Sequence, residues 1–192
     1  GGGYLGNGMD GSAGRNDAWK IEEELLRALP EDQLSLTYSP LRGVDGSIRG
    51  YEALLTWKHP GRGEIASEVL LPIAEKIGLI HEISAWMLNK ACATAASWDE
   101  NLRVSVNISP YQLEFGNLPE TVAHALAKAK LPGDRLELEI PETALAGEEQ
   151  HLAGTLSDLK DLGVRLALDH FGSGSSSIAH LRMFPFDRLK ID

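Results

Sequence analysis

Short apolar runs alternate with amphipathic stretches from about residue 19 to the last residue of the chain. Trp19–Leu29 places Ile21, Leu25 and Leu29 four apart, with Pro30 as the stop, and predicts a short amphipathic helix. Gln33–Tyr38 and Ser47–Trp57 read as strands, with Asp45-Gly46 as the hairpin turn between them. Helices follow at Ser67–Ile77, closed by Gly78, and at Ile80–Trp98. A strand, Leu102–Ile108, precedes a helix at Pro119–Lys130 with Pro at its first turn. Then come a strand at Arg135–Ile140, a helix at Glu148–Leu162 capped by Gly163 and a strand at Val164–Asp169. A short helix at Ser175–Arg182 and a strand at Arg188–Asp192 complete the series. Residues 1–18 hold seven glycines in their first fourteen positions and read as a flexible linker, with residues 19–30 a connector helix and 31–192 the domain proper.

Strands alternating with helices predict a parallel sheet covered by helices. The strand faces refine this. Leu102–Ile108 splits into Leu, Val, Val, Ile against Arg103, Ser105, Asn107; Leu136–Ile140 into Leu, Leu, Ile against Glu137, Glu139; the last strand into Leu189, Ile191 against Lys190, Asp192. A doubly wound open sheet buries both faces and reads almost wholly apolar. A barrel with helices outside and a polar lumen fits better, so the expected fold is α/β, a TIM-type βα barrel. Sites in such barrels form at the C-terminal strand ends, where Glu52, Asn107, Glu139, Asp169 and Lys190 are expected.

A carboxylate in an apolar run, such as Glu52 in Gly50–Trp57, has to be paired, neutralised or bound to a cation. Three carboxylates, an amide and a lysine at one mouth suit a hard ion, Mg²⁺ or Mn²⁺, and phosphoryl transfer. Other readings stay open at this point: Glu137 and Glu139 on a solvated edge strand, Asn107 as a structural strut, Lys190 as a Schiff base, or a carboxylate pair for glycoside hydrolysis. Phe171–Ser177 reads as an active-site loop, with a phosphate cradle as the alternative.

Composition narrows the partners. With 192 residues, 43% hydrophobic, and a net charge of -10, the chain is globular and acidic. That disfavours DNA or RNA polymers and membrane surfaces, which call for basic patches. No apolar run is long enough for a membrane segment. Cys92, the one cysteine, reads as a small core residue.

The chain also resembles the EAL domain, a module that linearises cyclic di-GMP. The resemblance runs from about Gln33 onward and rests on Tyr38-Ser39-Pro40, Glu52-Ala53-Leu54-Leu55, Trp57-Lys58-His59-Pro60, Val106-Asn107-Ile108-Ser109-Pro110, Glu137–Glu142, Leu168-Asp169-His170-Phe171-Gly172 and Leu189-Lys190-Ile191-Asp192. It implies hydrolysis of cyclic di-GMP to linear pGpG, with Glu52, Asn107, Glu139 and Asp169 as ligands of a first Mg²⁺ or Mn²⁺. Asp169 would bridge to a second ion. Lys190 and Glu52 would be catalytic, and Glu142 would brace the loop that starts at Asp169. Ser39, Leu55 and Thr56 would stand at substrate-binding positions, Ser39 in place of the family's Gln and Thr56 in place of its Arg.

Other departures are Pro141 for Thr, Ser173 and Ser175 for Thr and Tyr, and His170 for a second aspartate. An imidazole can ligate a metal, but it brings no negative charge. The alternative function is therefore a cyclic di-GMP receptor or protein-interaction module without turnover. The resemblance further implies a cytoplasmic setting, a homodimer in the intact domain and an upstream sensory or GGDEF-type domain. A complete barrel needs about 250 residues. The expectation is an incomplete one, about six of eight strands, lacking the last two strand–helix units.

Overall fold

The computed structural model describes residues 10–172 and 181–191, with residues 10–17 as backbone. The chain opens with helix α1 (Asp10–Ala28). It continues through strands β1 (Leu34–Arg42), β2 (Ile48–His59) and β3 (Gly63–Ala66) to helices α2 (Ser67–Lys76) and α3 (Ile80–Ala95). Strand β4 (Arg103–Asn107) leads to helices α4 (Pro110–Phe115) and α5 (Leu118–Ala129). Strand β5 (Leu136–Pro141), helix α6 (Glu149–Asp161), and strands β6 (Arg165–Phe171) and β7 (Arg188–Ile191) follow.

The sheet runs β1-β2-β4-β5-β6-β7, with β3 paired to the outer part of β2. β1 and β3 are antiparallel to β2, whereas β2, β4, β5, β6 and β7 are mutually parallel. This is a mixed α/β fold with a parallel sheet curved into a partial barrel, unclosed among the described residues. The expected fold class holds.

The apolar strand face meets the helices. Val104, Val106, Leu136, Leu138, Ile140, Leu166 and Leu168 are at most 1% exposed, packed with Ile83, Leu88, Val122 and Leu156 of the surrounding helices. Cys92 is among these core residues, and burial pushes its thiol up to about 12. Gly50 is required where β2 meets β4, because a Cβ there would sit 2.1 Å from the Arg103 carbonyl oxygen.

Four features differ from the sequence expectation, add to it or close one of its open alternatives. α1 begins at Asp10, not Trp19, so the helix runs through residues 10–18 as well. Once a helix is nucleated by a packed segment, here around Leu25 and Ala28, each further turn is cheap to add. The rest of the expected linker lies outside the described residues. α4 was not expected, although Ser109 and Gln112 form a capping box with Pro110 behind it. β3 was also not expected. Lastly, Glu137 and Glu139 do not lie on a solvated edge: β5 is flanked on both sides, and they are 4% and 1% exposed. The helix expected at Ser175–Arg182 falls mainly outside the described residues.

α1 is docked rather than free. Leu25 and Ala28 are fully buried, Glu24 meets His59 at 2.6 Å and Arg62 at 3.0 Å, and Glu22 meets Lys76 at 2.6 Å. No helix among the described residues is long and apolar enough to cross a membrane.

Candidate functional site

Side chains alternate across a strand, so residues two apart share a face. Facing the lumen are Glu52 on β2, Arg103, Ser105 and Asn107 on β4, Glu137 and Glu139 on β5, Arg165, Ala167 and Asp169 on β6, and Arg188 and Lys190 on β7. Register stacks them: Glu52 pairs with Ser105, Asn107 with Glu139, Glu139 with Ala167, and Ala167 with Arg188. Ala167 has almost no side chain. The long groups of β5 and β7 therefore reach each other across β6.

Ion pairs result across the lumen, the longest from Arg188 Nη2 to Glu139 Oε1 at 3.9 Å. Arg188 Nη2 lies 2.7 Å from Glu137 Oε2, and Lys190 Nζ lies 2.9 Å from Glu139 Oε1. Lys190 also reaches Glu52 Oε2 at 3.5 Å, and the Asn107 amide donates to Glu52 Oε1 at 3.3 Å. Ser105 Oγ is 2.8 Å from Glu139 Oε1 and 3.4 Å from Glu137 Oε2. Glu139 Oε2 is buried and has no hydrogen-bond partner among the described residues.

Burial pushes the Glu139 carboxyl above its usual range, and the nearby Glu52 charge adds to this against the opposing effects of Lys190 and Ser105. Burial works against the Lys190 ammonium. Its bond to Glu139 and the charges of Glu139, Glu52 and Asp169 outweigh that and raise its pKa. Lys190 thus keeps its positive charge beside the two carboxylates.

β2 does not end at Glu52. Its parallel ladder with β4 stops at Ala53, and the strand runs on to His59 as a hairpin with β3. Glu52 thus sits mid-strand, where the barrel mouth opens. On β6 the register shifts between Leu168 and Phe171, and His170 takes a left-handed φ of 58°. A bulge of this kind re-aims side chains. Asp169 and His170 consequently both line one cavity of about 250 Å³, together with Asn107. Its walls are largely apolar, with Leu55, Ile83 and Met87, and its polar groups include Glu75, Ser84 and Gln112.

Of the residues singled out in the sequence, Glu52, Asn107, Glu139 and Lys190 are joined by direct contacts. Asp169 and His170, 3.4 Å apart, stand at the cavity rim. Leu55 lies on the face of β2 opposite Glu52 and is buried against the cavity. Ser39, on β1, is exposed and pairs in register with Glu52 on β2, and Thr56 lies outside the cavity. Glu142 is buried in a 3₁₀ turn after β5, and most of the loop it was expected to brace lies outside the described residues. Among the described residues, no three His, Cys, Asp or Glu side chains converge into a metal-binding group.

Ser105, Ala167, Arg188 and Glu75 escaped the sequence reading. One signal was present: Glu137-x-Glu139 and Arg188-x-Lys190 are same-face pairs of opposite charge.

A sequence profile described as the EAL domain matches residues 22–192. An uncharacterized signaling protein of Caulobacter vibrioides is 45% identical over 173 residues, covering 90% of this chain and 21% of that protein. The cyclic di-GMP phosphodiesterase NbdA of Pseudomonas aeruginosa is 40% identical over 178 residues, covering 90% of this chain and 23% of NbdA. The chain thus spans about a fifth of the length of these relatives. Among solved structures, the PaMucR phosphodiesterase in complex with c-di-GMP superposes with a TM-score of 0.86 at 35% identity, covering 90% of this chain and 72% of that one.

Proposed function

The chain belongs to the EAL domain family, and from that premise we propose that its intact domain hydrolyses cyclic di-GMP to pGpG in a divalent-metal-dependent reaction. The observation that carries this reading is the orphaned oxygen of Glu139. A buried carboxylate oxygen without a donor is costly, and a hard cation beside Glu52 and Asn107 would satisfy it. Oxygen donors of this kind fit Mg²⁺ or Mn²⁺. Glu52, Asn107, Glu139 and Asp169 would hold the ion. When bound, it supplies Lewis-acid polarisation of the phosphodiester and acidification of the attacking water.

The chain's own groups do the rest. Lys190, held protonated, donates to the phosphate oxygens and neutralises charge that builds on them. Glu52, less buried than Glu139, accepts the proton released by the attacking water. The apolar cavity beside Leu55 shelters one base and keeps it out of water. The setting is the cytoplasm, and the intact protein works as a homodimer with an upstream sensory or GGDEF-type domain to which α1 connects.

One observation favours a second reading, a receptor that binds cyclic di-GMP without turnover. His170 brings an imidazole, which carries no negative charge, to the rim, where the family pattern has an acid. The test is turnover by the intact protein with Mn²⁺, wild type against Glu52→Gln. Metal-dependent pGpG formation that Glu52→Gln abolishes supports the enzyme. Tight binding with no product in wild type supports the receptor and sinks the enzyme.

A further inference from the structure

Ser105 is fully buried on β4, two residues before Asn107. A hydroxyl has one proton to give, and two carboxylates are within reach. Glu137 Oε2 is 3.4 Å away and already receives Arg188 Nη2 at 2.7 Å. Glu139 Oε1 is closer, at 2.8 Å. The proton of Ser105 therefore goes to Glu139.

This has a geometric effect. Glu139 Oε1 takes both Ser105 and Lys190, with Arg188 Nη2 3.9 Å away, and Oε2 has no hydrogen-bond partner among the described residues. Lys190 alone is a poor anchor, because its flexible stem also serves Glu52 at 3.5 Å. Ser105 is attached to a central strand through a single short side chain and cannot follow the carboxylate if it turns. We propose that Ser105 is a positioning residue: its hydrogen bond fixes the Glu139 carboxylate so that Oε2 stays free to bind a divalent cation held together with Glu52 and Asn107. The Arg188–Glu137 pair below supports it by keeping the second carboxylate from drawing the hydroxyl away. The proposal rests on the metal-dependent reading above. If Ser105 served only to fill space, Ser105→Ala would leave metal uptake unchanged.

The experiment uses the full-length, metal-stripped protein as wild type, Ser105→Ala and Ser105→Thr. Mn²⁺ affinity is measured by titration calorimetry, and the crystal structure of metal-free Ser105→Ala is determined. Groups that orient a metal ligand contribute about 10–100-fold in affinity. Ser105→Ala is expected to bind Mn²⁺ at least tenfold more weakly, with Ser105→Thr, which keeps the hydroxyl, close to wild type. The Glu139 carboxylate is expected in a new rotamer in Ser105→Ala. Unchanged affinity in Ser105→Ala overturns the proposal, as does an equal loss in both variants. Wild type that takes up no Mn²⁺ refutes the metal-dependent reading instead, and the crystal structure then decides: a displaced Glu139 upholds the role of Ser105, and an unmoved one overturns it.

Discussion

Lys190 Nζ and Glu139 Oε1, 51 residues apart in sequence, are 2.9 Å apart across the barrel lumen. The ammonium supplies the positive charge that two buried or half-buried carboxylates, Glu139 and Glu52, require of their surroundings. A divalent cation at the mouth would share that task.

Removal of the ammonium should therefore be felt most when no metal is present. Lys190→Met is expected to lose about 1–3 kcal/mol in metal-free buffer, less than a fully buried pair would, because the lysine is partly exposed. Added Mn²⁺ should restore more of the thermal midpoint in the variant than in wild type. Melting curves with EDTA and with Mn²⁺ check this; identical midpoints for the two proteins in EDTA would refute it.

His170 sits at a left-handed φ, a conformation that Asp tolerates better than most residues. His170→Asp should keep the bulge and add a negative charge at the rim. Mn²⁺-dependent turnover of cyclic di-GMP by the intact protein is expected to rise at least tenfold. No gain would place the limitation at other departures, such as Ser39 and Thr56.

Ala167 is fully buried between Glu139 and Arg188 in register. Ala167→Leu would fill the gap through which β5 and β7 meet. Overpacking typically costs about 1–3 kcal/mol, and the loss should appear as a lower urea midpoint together with weaker Mn²⁺ uptake. A midpoint at or above that of wild type would contradict the cross-lumen packing.

Asp187 ties β7 to β6. It accepts from Lys160 Nζ at 2.8 Å and from the Leu166 amide at 2.8 Å. Burial opposes its charge, but these bonds outweigh burial and hold its pKa below the usual value. A depressed carboxyl pKa in the folded state stabilises at pH above the unfolded value of about 3.9, and that stability is lost as pH falls through the folded value. Asp187→Asn should cost about 1–2 kcal/mol at pH 7, with the difference from wild type shrinking below about pH 4. A difference that stays constant from pH 7 to pH 3 would exclude this origin.

Much of the architecture was legible before any coordinates. The split of Leu102–Ile108 and Leu136–Ile140 into apolar and polar faces marked a barrel with helices outside, because alternation with period two is set by the strand itself. Glu52 was legible as a residue in need of a partner, since a charge in an apolar run is anomalous at any tertiary placement. α4 and the early start of α1 were less legible. The Ser109 capping box spans four residues, and residues 10–18 become helical because their neighbours are packed, which their own composition does not signal.

What the sequence determined by itself was which side chains share a face: Glu137 with Glu139, Arg188 with Lys190, Ser105 with Asn107. Local geometry dictates this. What only the tertiary structure decided was who meets whom. Glu139 reaches Lys190 because β6 lies between their strands in one particular register and because Ala167 is small at that point. The bond from Ser105 and the bare oxygen of Glu139 follow from the same register. Strand order and register arise from long-range packing of the apolar faces, so the polar partners were set by contacts among residues that are not part of the site.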